Sequence, residues 1–169
     1  MYAHTSPAID VVIDADCWQA ESAAEAIVTR AITAAAAAIA EAEAGDIELA
    51  VLLTDDAHIR TLNADFRGID KPTNVLSFPA QPMPAIPGAA KMLGDIAIAY
   101  ETTRHEAKND DKPFAHHLSH LAVHGFLHLI GYDHEADDEA ETMEALERKI
   151  LAQLAIPDPY AMRDGESAT

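Results

Sequence analysis

From Phe114 to Ile130 the chain reads FAHHLSHLAVHGFLHLI, apolar on nearly every side of a helix. Leu118, Leu121, Val123, Phe126, Leu127, Leu129 and Ile130 leave no wide polar stripe. A helix of that kind is stable only when other elements surround it. Pro113 stands near its start and Gly131 at its end, where each residue type is favoured. The fold must be built around this segment, and 169 residues suffice to do so in one domain.

The flanking patterns supply the layers. AIDVVIDAD alternates and is rich in branched residues, which predicts a strand over Ile9 to Ile13. An alanine-rich helix with Ile27, Ile32 and Ile39 is expected from about Glu21 to Ala44, stopped by Gly45. DIELAVLLT reads as a second strand, after which Asp55 or Asp56 caps a short helix bearing Ile59, Leu62 and Phe66. RGIDKPTN is a loop, NVLSF a strand closed by Pro79, and PAQPMPAIPGAAKML, with four prolines between positions 79 and 87, a mobile excursion. GDIAIAY is the next strand, followed by helical sequence over Tyr100 to Asn109. The last helix spans about Asp137 to Leu154, with Met143, Leu146, Ile150 and Leu154 on one face. Its opening acids lie at the favourable end of the helix dipole. The order β-α-β-α-β-β-α-α-α predicts an α+β fold, a small mixed β-sheet of about four strands packed by about five helices.

Composition narrows the class. The start MYAHTSPAIDVVIDAD lacks the basic-then-apolar pattern of a signal peptide. The uncharged run AITAAAAAIA is about half of the ~20 residues that span a bilayer, so no membrane association is expected. The single Cys17 excludes an internal disulfide, suits a reducing cytoplasm and reads as a small core residue. A formal charge of −18 argues against a general nucleic-acid coat. However, seven of the eleven basic residues lie between positions 60 and 112, where seven acids balance them, so a locally neutral face on an acidic body is compatible with the sequence.

The same buried helix carries the chemistry. His124 and His128 stand four apart, hence on one face with Cβ atoms ~5–6 Å apart, and two imidazoles so placed can reach one metal. Gly131 can end the helix and reverse the chain, returning His134 to the same point. Three neutral nitrogens suit Zn2+, one per chain, and leave a fourth position for water. A structural zinc is the rival, although such sites usually close with a fourth Cys or His. His117 and His120 lie on the same stripe, where roles around the ligands or plain packing are expected rather than ligation. The spacing matches the metzincin proteases except that Gly125 replaces their catalytic glutamate. Glycine in a helix costs roughly 1 kcal/mol against alanine, so Gly125 is expected to make room for something close.

Without that base, zinc alone can bring the pKa of water to ~7. Phosphodiester cleavage then needs a cation for the developing charge, and Arg67, opening the RGIDKPTNVLSFP loop, is the best placed arginine. On spacing alone, a surface arginine remains the default reading of that residue.

FRGIDKPTNVLSFP (66 to 79), LGDIAI (93 to 98), HLAVHGFLHLIGYDH (120 to 134) and DDEAETMEALE closely resemble the YbeY family of bacterial single-domain, zinc-dependent endoribonucleases, over roughly positions 47 to 160. The resemblance implies that His124, His128 and His134 bind zinc, with His124 part of the catalytic centre. It also implies that Arg67 lies in the cleft and takes part in cleavage, and Lys71 is the further substrate-binding candidate of that loop. Residues 1–156 would form one catalytic metalloprotein domain and 157–169 a loosely ordered tail. The implied role is 16S rRNA 3′-end processing and small-subunit quality control in the cytoplasm. Single-stranded RNA, ribosomal small-subunit proteins and a ribosome-assembly GTPase are the implied partners. Two other readings stay open: a non-catalytic ribosome-assembly factor with a stabilising zinc, and a metalloprotease-like hydrolase.

Overall fold

The computed structural model describes residues 7–39, 46–81, 84, 86 and 88–161. Its elements are β1 (Ala8–Ile13), a 3-10 turn (Asp16–Ala20), α1 (Ala24–Ile39), β2 (Ile47–Thr54), α2 (Asp56–Arg67), β3 (Val75–Pro79), β4 (Lys91–Ala99), α3 (Tyr100–Asn109), α4 (Phe114–Leu129) and α5 (Asp137–Gln153). The sheet order is β1-β2-β4-β3, with β1–β2 and β2–β4 parallel and β3–β4 antiparallel. This is the expected mixed sheet with five helices.

Side-chain alternation divides the sheet into two faces. Leu49, Val51 and Leu53 of β2 and Ile96 and Ile98 of β4 point into the large core, where α1, α4 and α5 pack. Ala97 and Ala99 point the other way, with Leu76, and meet Ile59 of α2 in a smaller cluster. Leu118, Val123 and Leu127 of α4 are fully buried and Phe126 is nearly so. Burying each such side chain stabilises by about 1.5–3 kcal/mol. The requirement that α4 be enclosed is thereby met.

Local chemistry sets several boundaries. The Asp55 side chain accepts from His58 N at 2.8 Å and caps α2. Gly68, at φ 71°, closes the same helix. Three expectations shift. The first helix begins at Ala24, because Asp16–Ala20 form a separate turn that buries Trp18, whose Nε1 donates to Thr54 O at 2.8 Å. The end expected near Ala44 and Gly45 lies outside the described residues, as do 82, 83, 85 and 87 of the proline-rich stretch. Lys91–Leu93, taken there as excursion, belong to β4: Lys91 and Met92 face Ile47 and Glu48 before a register shift, and Ala80 N donates to Leu93 O. Tyr100 begins α3 rather than ending the strand.

Gly125 makes room as anticipated, and the close neighbour is the sheet. A Cβ there would lie 2.9 Å from Ile96 Cγ2 and 3.3 Å from both Ser77 Oγ and Val75 Cγ2. Ile96 is β-branched and fully buried, so it has little freedom to yield. Overpacking of about 1–3 kcal/mol should exceed the roughly 1 kcal/mol of helix preference that alanine brings. Gly125→Ala is therefore expected to lower the unfolding free energy by about 1–2 kcal/mol in a denaturant titration. An unchanged midpoint would show that α4 can lift from the sheet at no cost.

Candidate metal centre

The end of α4 is a Schellman motif. Gly131 N donates to His128 O at 3.1 Å and Tyr132 N to Leu127 O at 3.0 Å, with Gly131 at φ 106°. This reversal carries His134 back beside the helix. Ring centroids of His124 and His128 are 4.6 Å apart, those of His128 and His134 5.1 Å, and those of His124 and His134 5.7 Å. Each ring offers a nitrogen, and the three atoms lie within 4.8 Å of one another.

Nε2 of His124 and Nε2 of His128 are 3.1 Å apart on rings inclined at 80°. Two ligands at ~2.0–2.1 Å on a tetrahedral ion stand about 3.3 Å apart. The donor set and its spacing thus fit zinc. Burial, followed by the neighbouring His124 and His134, holds the His128 pKa below its usual value, against a backbone hydrogen bond at Tyr132. A ring kept neutral keeps the lone pair a metal needs.

Glu147 decides the tautomer of His124. It stands on α5 and is fully buried. Its Oε1 lies 2.5 Å from His124 Nδ1, and the Tyr160 hydroxyl donates to its Oε2. His120 Nε2 is 3.5 Å from that second oxygen and 3.2 Å from the Tyr160 hydroxyl. Burial pushes the Glu147 pKa up, but hydrogen bonds from His120, His124 and Tyr160 outweigh it and hold the value at about 2. An ionised carboxylate only accepts, so Nδ1 of His124 carries the proton and Nε2 is left bare toward the other rings. A carboxylate behind a histidine in this way fixes the ring and raises its basicity as a ligand.

Because its folded pKa is depressed, Glu147 contributes stability that is present above its unfolded value of about 4.5 and is lost as pH falls toward 2. In acid titrations of the metal-free protein, Glu147→Gln is expected to flatten the fall in stability between those values. An unchanged slope would show that Glu147 is not held ionised.

The sequence did not single out Glu147 or Tyr160. One signal was available: Glu147 lies on the apolar face of α5 with Met143, Ile150 and Leu151, where a solvated glutamate does not belong. Of the segment expected to be loosely ordered, residues 157–161 are described and Tyr160 reaches Glu147, while 162–169 lie outside the described residues. His117, the other stripe histidine, bonds away from this cluster: its Nε2 is 2.9 Å from Glu106 Oε1.

Arg67 ends α2, exposed, at the edge strand β3. Its Nη2 donates to Ser77 O at 3.1 Å, and Ser77 Oγ donates to Gly125 O at 2.9 Å, so two hydrogen bonds link the guanidinium to the residue after His124. Lys71 is exposed and only its backbone is fixed by the contacts described, through Asn63 Nδ2 on its carbonyl at 2.8 Å; no described contact ties it to the histidines. Three other cations of the 60–112 segment are matched by acids: Arg60 with Asp70, Arg104 with Glu21, and Lys112 with Asp110. Cys17 is half-buried against the core, and burial, then Glu101 and Asp55, raises its pKa, the opposite of what a nucleophile needs. No helix among the described residues is long and apolar enough to cross a membrane.

Comparison with known proteins agrees with the fold. Two Rhodopseudomonas palustris proteins named Endoribonuclease YbeY are 70% and 71% identical to this chain, each over 94% of it and over 92% and 95% of their own lengths. A Nitrobacter winogradskyi protein of the same name is 65% identical over 95% of this chain and 86% of its own. The solution structure of TM1509 from Thermotoga maritima shares the fold, with a TM-score of 0.55 over 94% of this chain and 99% of that one at 24% identity. The family described as Endoribonuclease YbeY matches residues 13–155, and the chain belongs to it.

Proposed function

We propose that this chain is a zinc-dependent endoribonuclease of single-stranded RNA that acts in the cytoplasm in rRNA maturation, at the 16S 3′ end, and in small-subunit quality control. The observation that carries the metal chemistry is the convergence of His124, His128 and His134, with Glu147 leaving the Nε2 of His124 free to ligate. The relatives' name supports RNA as substrate. Zinc held there would bring the pKa of a water ligand toward ~7 and supply positive charge at a phosphate.

The residues of the chain divide the remaining work. His124, His128 and His134 hold the ion, and the Schellman turn keeps the third in place. Arg67 presents planar donors to the phosphate oxygens, its approach angle set by Ser77. Lys71 adds a charge to the strand's path. Ribosomal small-subunit proteins and a ribosome-assembly GTPase would deliver the substrate to a chain of charge −18 that attracts RNA weakly. The protease reading meets a steric objection: the position of the metzincin base is Gly125, where even a methyl group would strike Ile96.

Zinc content measured beside RNA cleavage tests the proposal. Arg67→Glu is expected to retain wild-type zinc while cleavage falls about 10²-fold or more. Equal cleavage by the metal-free and zinc-loaded protein would sink the mechanism. If the Arg67 variant still matured rRNA in cells without nuclease activity, the non-catalytic assembly role would replace it.

A further inference from the structure

Beside His124 a cavity of about 360 Å³ opens between α3, α4 and β3, and no part of the metal chemistry above uses its far end. Leu121 and Val75 supply apolar surface, the rings of His120 and Tyr160 supply flat walls, and Asn74, Glu106 and Asn109 supply polar groups. The cavity follows the histidine stripe away from the triad: His120 is 6.2 Å from His124 by ring centroids, and His117 a further 6.2 Å from His120. A nucleotide whose phosphate sat at the triad could lay its sugar and base along this stripe.

The charge of the lining excludes phosphate as the occupant. Glu106 and Asp110 line the cavity, and neither Lys nor Arg does. Glu106 is held in place rather than swinging in solvent, since its Oε1 takes Asn74 Nδ2 and His117 Nε2, both at 2.9 Å. Burial would raise its pKa, yet those hydrogen bonds lower it overall, so it stays an acceptor. His117 is 6% exposed, so the ring that fixes Glu106 is itself held by the core. Flat walls, carboxamides and a fixed carboxylate together suit the edge of a ring that carries N–H donors.

We infer that this cavity is a nucleobase pocket that takes the base flanking the scissile phosphate and favours bases with an exocyclic amine, guanine first, over uracil. The inference rests on the RNA-cleaving function proposed above. Glu106 accepts from the base's N–H groups, Asn109 at the rim pairs with its polar edge, and His120 and Tyr160 stack or pack against its face. Hydrogen bonds to a charged acceptor should give about a tenfold preference.

Free nucleosides, which carry no phosphate for the triad, test the pocket apart from catalysis. The zinc-loaded full chain is titrated with guanosine, adenosine, cytidine and uridine, and binding is read from NMR shifts of the Asn109 side-chain amide and the His117 ring. The expected result is guanosine binding about tenfold tighter than uridine. Glu106→Gln and, at the exposed rim, Asn109→Ala should narrow that ratio while leaving zinc content unchanged. Equal affinities, no binding, or ratios unmoved by both variants would overturn the pocket. So would displacement of guanosine by lower concentrations of N-acetylarginine amide, which would assign the acidic cavity to a basic side chain of a protein partner. Failure of zinc-dependent RNA cleavage, with the nucleoside ratios intact, would instead count against the proposed reaction.

Discussion

Replacing His124 with alanine is expected to remove tight zinc binding and RNA cleavage together. His128 and His134 alone would present two nitrogens, fewer than the three protein ligands of a catalytic zinc site. The loss extends behind the ring. Glu147 would keep Tyr160 and His120 but lose the donor at 2.5 Å, leaving a fully buried carboxylate short of one hydrogen bond. An unmet buried group of that kind costs about 1–3 kcal/mol. The metal-free variant should therefore also melt earlier than metal-free wild type, a difference that simple loss of a ligand would not produce. His105→Ala, an exposed histidine on α3, is the control and should keep both zinc and stability. Wild-type zinc content in the His124 variant would remove the site.

The second large effect is expected far from any chemistry. Gly94→Ala should unfold the protein or reduce its stability by more than 3 kcal/mol, by overpacking and backbone strain acting together. Gly94 lies within β4 at φ 131°, a conformation that L side chains rarely adopt. An added Cβ would stand 2.1 Å from Phe78 O and 2.8 Å from Ala80 N, both backbone atoms of the paired segment. Side-chain rotation cannot relieve such a clash. The β3–β4 pairing would have to part at Pro79 and Gly94, and β3 carries Ser77, the link between Arg67 and Gly125. Circular dichroism during thermal unfolding measures the effect; a melting temperature within a few degrees of wild type would contradict it.

The two substitutions illustrate a division between what neighbours in sequence reveal and what they do not. Helical and strand periods repeat locally, so the nine-element order, the enclosure of α4 and a cap at Asp55 or Asp56 were legible before any coordinates, and the structure chose Asp55. The histidine triad was legible for the same reason: a four-residue step on a helix, a glycine that reverses the chain, and a third histidine within reach are all short-range geometry. Gly125 was half legible, since glycine in a buried helix signals a close approach without naming what approaches. Only the packing of α4 onto the sheet identifies Ile96.

Glu147 and Tyr160 come from positions 23 and 36 residues beyond His124, and nothing in local periodicity directs either toward that ring. Their meeting depends on how α5 docks against α4, which hydrophobic burial sets without regard to the carboxylate it carries inward. The same holds for the cavity shared by α3, α4 and β3. Covalent spacing therefore brought the three candidate ligands together, whereas the carboxylate behind His124 and the walls beside it were decided by elements that meet only when the core closes.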